Sequence, residues 1–130
     1  MQIMQEKQVY EYAVIRLVPR VEREEFINIG ILLYCKKGQY LEMKYLLDKE
    51  RLASFAGQID LLELAQYLNA WDLISQGSPQ GGKIAQLAPA ERFRWLSASK
   101  STILQCSKVH TGLSSDPALV LERLFTQYVL

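Results

Sequence analysis

A chain of 130 residues with a net charge of +1 has the length of one domain, and its near-neutrality predicts no general attraction to nucleic acid or anionic membranes. A chain of this size buries roughly two thirds of its unfolded surface, so it needs neither a disulfide nor a metal to hold it together. One histidine and two distant cysteines argue against a zinc site, which needs several such ligands at close spacing, and no cofactor is expected.

Residues 8–19 read as a strand, with Glu11, Ala13, Ile15 and Leu17 on one face and Tyr10, Tyr12, Val14, Arg16 and Val18 on the other. Pro19 has no donor for a ladder and ends it. The run VEREE is a solvated turn, with room for one helical turn. Residues 26–35 read as a second strand, in which Ile27, Ile29, Ile31, Leu33 and Cys35 form a continuous apolar face opposite Phe26, Asn28, Gly30, Leu32 and Tyr34. β-branched and aromatic residues dominate both runs, as strands prefer. After KKGQ comes a third strand over 40–47. Aligning Met43 with Leu33 requires an odd-numbered loop, most simply three residues with Gly38 in the left-handed region. The first three strands predict an antiparallel meander.

Helices follow. Asp48 caps a short one through Phe55. Asp60 caps a longer one, with Glu63 at the reciprocal capping-box position; Leu61, Leu64, Ala65, Leu68 and Trp71 recur at helical spacing until Gly77 ends it. GSPQGGK reads as a loop. Pro89 opens a third helix to about Leu96, residues 102–107 read as a fourth strand, and Asp116–Pro117 opens a last helix to about Tyr128. The fold class expected is α+β. A three- to four-stranded antiparallel sheet, the meander plus one later strand, packs with about four helices in a single domain spanning 1–130.

Residues 77–83 fit G-x-x-x-x-G-K, but Ile84 stands where the magnesium-binding hydroxyl belongs, and the segment follows a helix instead of a strand. It is therefore no nucleotide-hydrolysing loop, although backbone donors with Lys83 can still meet an anion. Ser97 to Lys100, SASK, fits S-x-x-K, but the chain lacks the S-D-N element of serine acyl-enzymes. Charge is unevenly spread: residues 48–72 carry five acids and two bases, and residues 83–108 five bases and one acid. Such runs are usually solvated faces. In the basic run, Arg92, Arg94, Lys100, Lys108 and His110 are interleaved with Trp95, a combination that can contact phosphates and stack on bases. The plainer account is a helix burying Phe93 and Leu96 with its arginines in solvent. His110 is the best proton-transfer candidate by its ordinary pKa range, although a lone histidine is more often structural.

Arg16 and Asn28 interrupt apolar runs on matching faces of strands that pair, with Gly30 alongside. With Glu25 they form either a buried structural network or the lining of a small polar pocket or partner surface, since buried polar groups must find partners. The N-terminus has no apolar core of signal-peptide length, and no apolar stretch is long enough to span a bilayer. A cytoplasmic protein with two reduced, buried cysteines is the expectation.

The pattern Y-x-V-x-R-x-x-P-R-x-x-R-x-E-F-x-N-x-G from Tyr12 to Gly30 resembles that of a bacterial family catalogued as a domain of unknown function, the one numbered three thousand and thirty-seven. So do R-F-x-W-L-x-A-x-x-S-T from Arg92 to Thr102, V-H-x-G at Val109 to Gly112 and D-P at Asp116 and Pro117. The resemblance covers nearly the whole chain. It implies a small stand-alone protein whose gene often lies beside that of a HipA-like kinase, and it draws attention to Arg16, Arg20, Glu25, Asn28, Arg94, Ser101 and His110. It transfers no catalytic role onto them.

Two readings result. In the first the chain is a non-enzymatic interaction or regulatory module partnering a HipA-like kinase, with a second copy of itself as another partner to test. In the second it is a small enzyme or ligand binder for a phosphorylated or nucleotide-like substrate. There Arg16, Arg20 and Arg94 would clamp the anion, Lys100 and Ser101 would add contacts, and His110 or Glu25 would move protons. The second reading requires these side chains to converge on one concave pocket. Direct DNA binding is weaker still, because no helix-turn-helix signature is present.

Overall fold

The computed structural model describes residues 6–56, 59–98 and 103–130. The strands are β1 (Gln8–Leu17), β2 (Ile27–Cys35), β3 (Tyr40–Tyr45), β4 (Leu104–Cys106) and β5 (His110–Ser114). The helices are α1 (Lys49–Ala56), α2 (Leu61–Gln76), α3 (Gly82–Ala85), α4 (Pro89–Ser97) and α5 (Pro117–Tyr128). The fold is α+β. All strand pairings are antiparallel; β3, β2 and β1 form the expected meander, and β4 and β5 both pair with the free side of β1.

The sheet is covered on both faces. On one, Leu52, Leu64, Leu68, Trp71, Ile74, Ala85, Phe93 and Leu96 of the first four helices pack against Ile15, Leu17, Leu32, Tyr34, Leu41 and Met43. On the other, Val120, Leu121, Leu124 and Phe125 of α5 meet Tyr10, Val14, Ile31, Leu33 and Cys35. This double burial corrects the reading of β2. Its second face, read as the mixed one with Asn28 and Gly30, carries Leu32 and Tyr34 into the larger core.

The register of β3 changes for the same reason. Met43 lies opposite Leu32 and Glu42 opposite Leu33, which places the apolar face of β3 on the helix-rich side. The connection is the even, four-residue KKGQ, and Gln39 takes the left-handed conformation at φ 48° in place of Gly38. A second correction concerns Ile29. Ile15 faces Gly30 but Arg16 faces Asn28, so Ile29 is an extra residue bulged out of β2. Bulges bend a strand and re-aim its side chains. Here Ile27 and Ile29 turn to the helix-rich core, while Ile31, Leu33 and Cys35 face α5.

Gly30 lies on the opposite face from Asn28, against β3 and not a ligand. A Cβ there would sit 2.8 Å from the Lys44 carbonyl oxygen and 2.9 Å from Tyr45 Cβ. The fifth strand was not foreseen. HTGLS pairs with Gln8–Tyr12, and β4 and β5 together form an interrupted strand beside β1. Ser107 spans the interruption. Its backbone N–H donates to the Val14 carbonyl at 2.8 Å, and its hydroxyl accepts from the Val14 N–H at 2.8 Å. A side chain thus replaces one rung of the ladder.

Helix boundaries follow the capping chemistry. Asp48, Asp60 and Asp116 each accept backbone N–H groups of the helix they precede. Only half of the expected capping box forms at α2, because Glu63 accepts from Tyr67 instead. Gly77 caps α2 at φ 67°. The segment expected to be a loop folds into a 3-10 turn, Pro79–Gly81, and then α3. Arg92 reaches back to donate to the Ile74 and Ser75 carbonyls, closing the same helix end. Neither cysteine is in a disulfide: Cys35 is buried under α5, and Cys106 is half-buried on the other side of the sheet. No described helix is long and apolar enough to cross a membrane.

Gly30→Ala should therefore lower stability by about 1–3 kcal/mol through overpacking. Gly38→Ala, whose new Cβ meets nothing nearer than 3.9 Å, should change it by less than about 0.5 kcal/mol. Urea denaturation of both variants checks the contrast; equal midpoints would contradict the packing assigned to Gly30.

Candidate functional site

Pairing of β1 with β2 brings Arg16 opposite Asn28, and pairing with β4 brings Arg16 opposite Gln105. These three residues share the face that α5 covers. The helix stops short of this end of the sheet, and what lies beyond is a hollow of about 260 Å³ lined by Arg16, Val18, Glu24, Phe26, Gln105 and Cys106. The Arg16 guanidinium carbon lies 3.9 Å from the Phe26 ring centroid. A cation over an aromatic face is stabilised by the ring quadrupole, which helps this charge tolerate partial burial. Its Nε–H is buried with no hydrogen-bond partner. Glu24 stands at the rim, exposed, with its backbone in the left-handed region at φ 56°. Only a few per cent of residues other than glycine adopt that region. The reversal from β1 to β2 imposes it, through a 3-10 turn at Val21–Arg23.

Asn28 serves a different end. Its Nδ2 donates to the Tyr128 carbonyl at 3.2 Å, and Arg51 donates to the carbonyl of Val129. The last carbonyls of a helix have no partner within it, so strand β2 and helix α1 supply donors to the end of α5. The Asn28 Oδ1 is buried and unpartnered. Nothing near Asn28 in sequence signals this task, because its partner is one hundred residues away.

The remaining candidates are dispersed. Glu25 is exposed and forms an ion pair with Arg23 at 2.6 Å, not with Arg16 or Asn28. Arg20 is exposed in the turn after β1. Arg94 meets Glu11 at 3.2 Å. Glu11 alternates with Arg16 along β1 onto the opposite face, so Arg94 and Arg16 lie on different sides of the sheet. His110 pairs with Tyr12, its ring 5.2 Å from the tyrosine ring. It shares a face with Arg16 but stands four residues along β1, roughly 13 Å away at a strand's rise per residue. Lys100 and Ser101 lie outside the described residues. Phe26, Glu24 and Gln105 line the hollow but were not singled out from sequence. For Phe26 the signal existed, since it alternates with Asn28 on the same strand face.

His110 belongs to an aromatic group over the α5 face. The Tyr12 ring lies 6.2 Å from those of Tyr10 and Tyr128, and its hydroxyl is 3.4 Å from the Tyr128 hydroxyl. Burial, then the Tyr128 hydroxyl, push the Tyr12 phenol up to about 12. Burial and the nearby Glu42, Asp116 and Glu122 raise Tyr40 to about 12. Among the described residues no group of three or more His, Cys, Asp or Glu is placed to hold a metal ion.

The family model described as "Protein of unknown function (DUF3037)" matches residues 12–129, and the chain belongs to that family. No curated protein and no solved structure matches it.

The raised phenols set a pH dependence. In the unfolded chain a tyrosine loses its proton near pH 10, while in the folded chain Tyr12 and Tyr40 hold theirs to about 12. Between those values the folded state binds more protons, so stability falls as pH rises through that window. Urea midpoints from pH 9 to 11.5 should decline, and Tyr12→Phe with Tyr40→Phe should flatten the decline; an unchanged slope in the double variant would refute the assignment. At α5, Asn28→Ala removes both the bond to Tyr128 and the unpartnered oxygen, so its cost should stay within about 1 kcal/mol. Asn28→Asp sets a carboxylate against the negative end of the helix and should cost more, about 1–3 kcal/mol. Thermal midpoints at pH 7 give the order directly.

Proposed function

We propose that the chain is a non-enzymatic interaction module that offers the open edge of its sheet to a protein partner, and that the partner is a kinase of the HipA-like class. The reading is carried by β5. Among the described residues its one ladder partner is β1, so its outer side presents backbone donors and acceptors that no described strand pairs. Proteins usually blunt such an edge with charge, proline or a covering element, because a free edge templates pairing with another chain. Here Val9 and Leu113 form a cross-strand pair that is 59% and 63% exposed. A strand from a partner could extend the ladder while its side chains cover this apolar strip, the mode of β-augmentation.

The opposite edge is less suited. β3 packs on α2 and α5, and Lys44 on it is engaged by Glu122 of α5. The choice of a HipA-like kinase comes from the family resemblance and its gene neighbourhood; the edge itself specifies only an extended segment.

Co-expression with a HipA-like kinase, followed by pull-down at micromolar concentrations, tests the proposal. The expected result is a stable complex that Leu113→Asp abolishes while the variant keeps its circular dichroism spectrum. No complex with the wild-type chain would reject the kinase. A dimer of the chain alone, broken by the same substitution, would reassign the edge to self-association.

A further inference from the structure

The hollow at Arg16 lies apart from the β5 edge and carries an inference of its own. We propose that it binds a small amphoteric solute, one with a carboxylate and an amino group, of amino-acid size. The argument starts with Arg16. Its Nε–H is buried and has no hydrogen-bond partner, so a solute in the hollow would be met by the two terminal amino groups of the guanidinium. No carboxylate of the described residues pairs with the guanidinium, and the nearest ionic group lining the hollow, Glu24, is exposed at its rim. The Phe26 ring covers one face of the guanidinium and leaves its in-plane donors as the polar groups on offer. A guanidinium fork matches the two oxygens of a carboxylate.

Size and charge narrow the class. A volume of about 260 Å³ is slightly below the range of sites that enclose drug-sized ligands, so a whole nucleotide would project into solvent. A bare phosphate dianion fits the space but would face the Glu24 carboxylate, and like charges in proximity repel. A solute with an ammonium group turns Glu24 into a partner: carboxylate to Arg16, ammonium to Glu24. Val18 and Phe26 then offer apolar contact to the carbon atoms between.

The test is calorimetric and NMR titration of the full-length chain with the twenty common α-amino acids, and with acetate and inorganic phosphate as anions lacking the amino group. At least one amino acid should bind more tightly than acetate or phosphate. Arg16→Gln and Glu24→Gln should each weaken that binding about tenfold or more, the loss of one charge-assisted contact. The two readings of the hollow give opposite signs at Glu24: removing its charge weakens an amphoteric ligand but strengthens a simple oxyanion. Arg16→Met controls for folding. Because it removes a buried donor that has no hydrogen-bond partner and keeps an unbranched chain beside Phe26, it should keep the thermal midpoint while abolishing binding. Three outcomes would overturn the proposal: no amino acid bound at millimolar concentration, binding indifferent to Arg16, or tighter binding of phosphate in Glu24→Gln with no response to amino acids. A large loss of stability in Arg16→Met without any binding would assign Arg16 to packing alone.

Discussion

Strand β2 is enclosed on both faces, and this constraint organises the molecule. Ile31, Leu33 and Cys35 pack under α5, while Ile29, Leu32 and Tyr34 pack under the helices that follow β3. A strand in that position cannot slip by a single residue without exchanging its two apolar sets between cores of different shape. Its register with β1 and β3 is therefore pinned by packing on either side. Gly30 adds a further constraint, because the close approach of β3 leaves no room for a side chain there.

The bulge at Ile29 links this core to the candidate site. Without the extra residue, strict alternation from Ile31 would carry Asn28 to the helix-rich face. With it, Asn28 emerges beside Arg16, under the end of α5, where its amide closes the helix. The polar end of the sheet is thus divided between two tasks. Asn28 and Arg51 satisfy the carbonyls of α5, and Arg16, one strand over, remains with a buried donor and a hollow in front of it. A structural network would have used up both groups. Here the Asn28 amide nitrogen is engaged at the end of α5, while its oxygen and the Arg16 Nε–H both stay unpartnered; of the two residues Arg16 lines the hollow, and that difference is the physical basis for assigning a ligand to it and none to Asn28.

How well the sequence foretold these features depended on how local their causes are. The caps at Asp48, Asp60 and Asp116 and the stop at Gly77 each rest on bonds spanning a few residues, and all are where residue chemistry put them. Pairing of Arg16 with Asn28 was also legible, because both stood on corresponding faces of runs joined by a short turn. Strand β5 was not. HTGLS is short and polar, and what makes it a strand is the free side of β1, with Ser107 bridging the break. The capping box at α2 failed by half for a similar reason, since Tyr67 competed for Glu63.

The amino-acid order alone determined the class of fold, the succession of its first three strands and longer helices, and the ends of those helices, because periodicity and capping act within a few residues of the chain. It determined the family as well, through motifs spread along most of its length. Tertiary structure decided which of two apolar faces of β2 meets which core, where the bulge falls, and that Arg94 finds its carboxylate partner, Glu11, away from Arg16. Those outcomes depend on contacts between elements far apart in the chain, and a one-residue change in register reverses them, so no local pattern could have carried them.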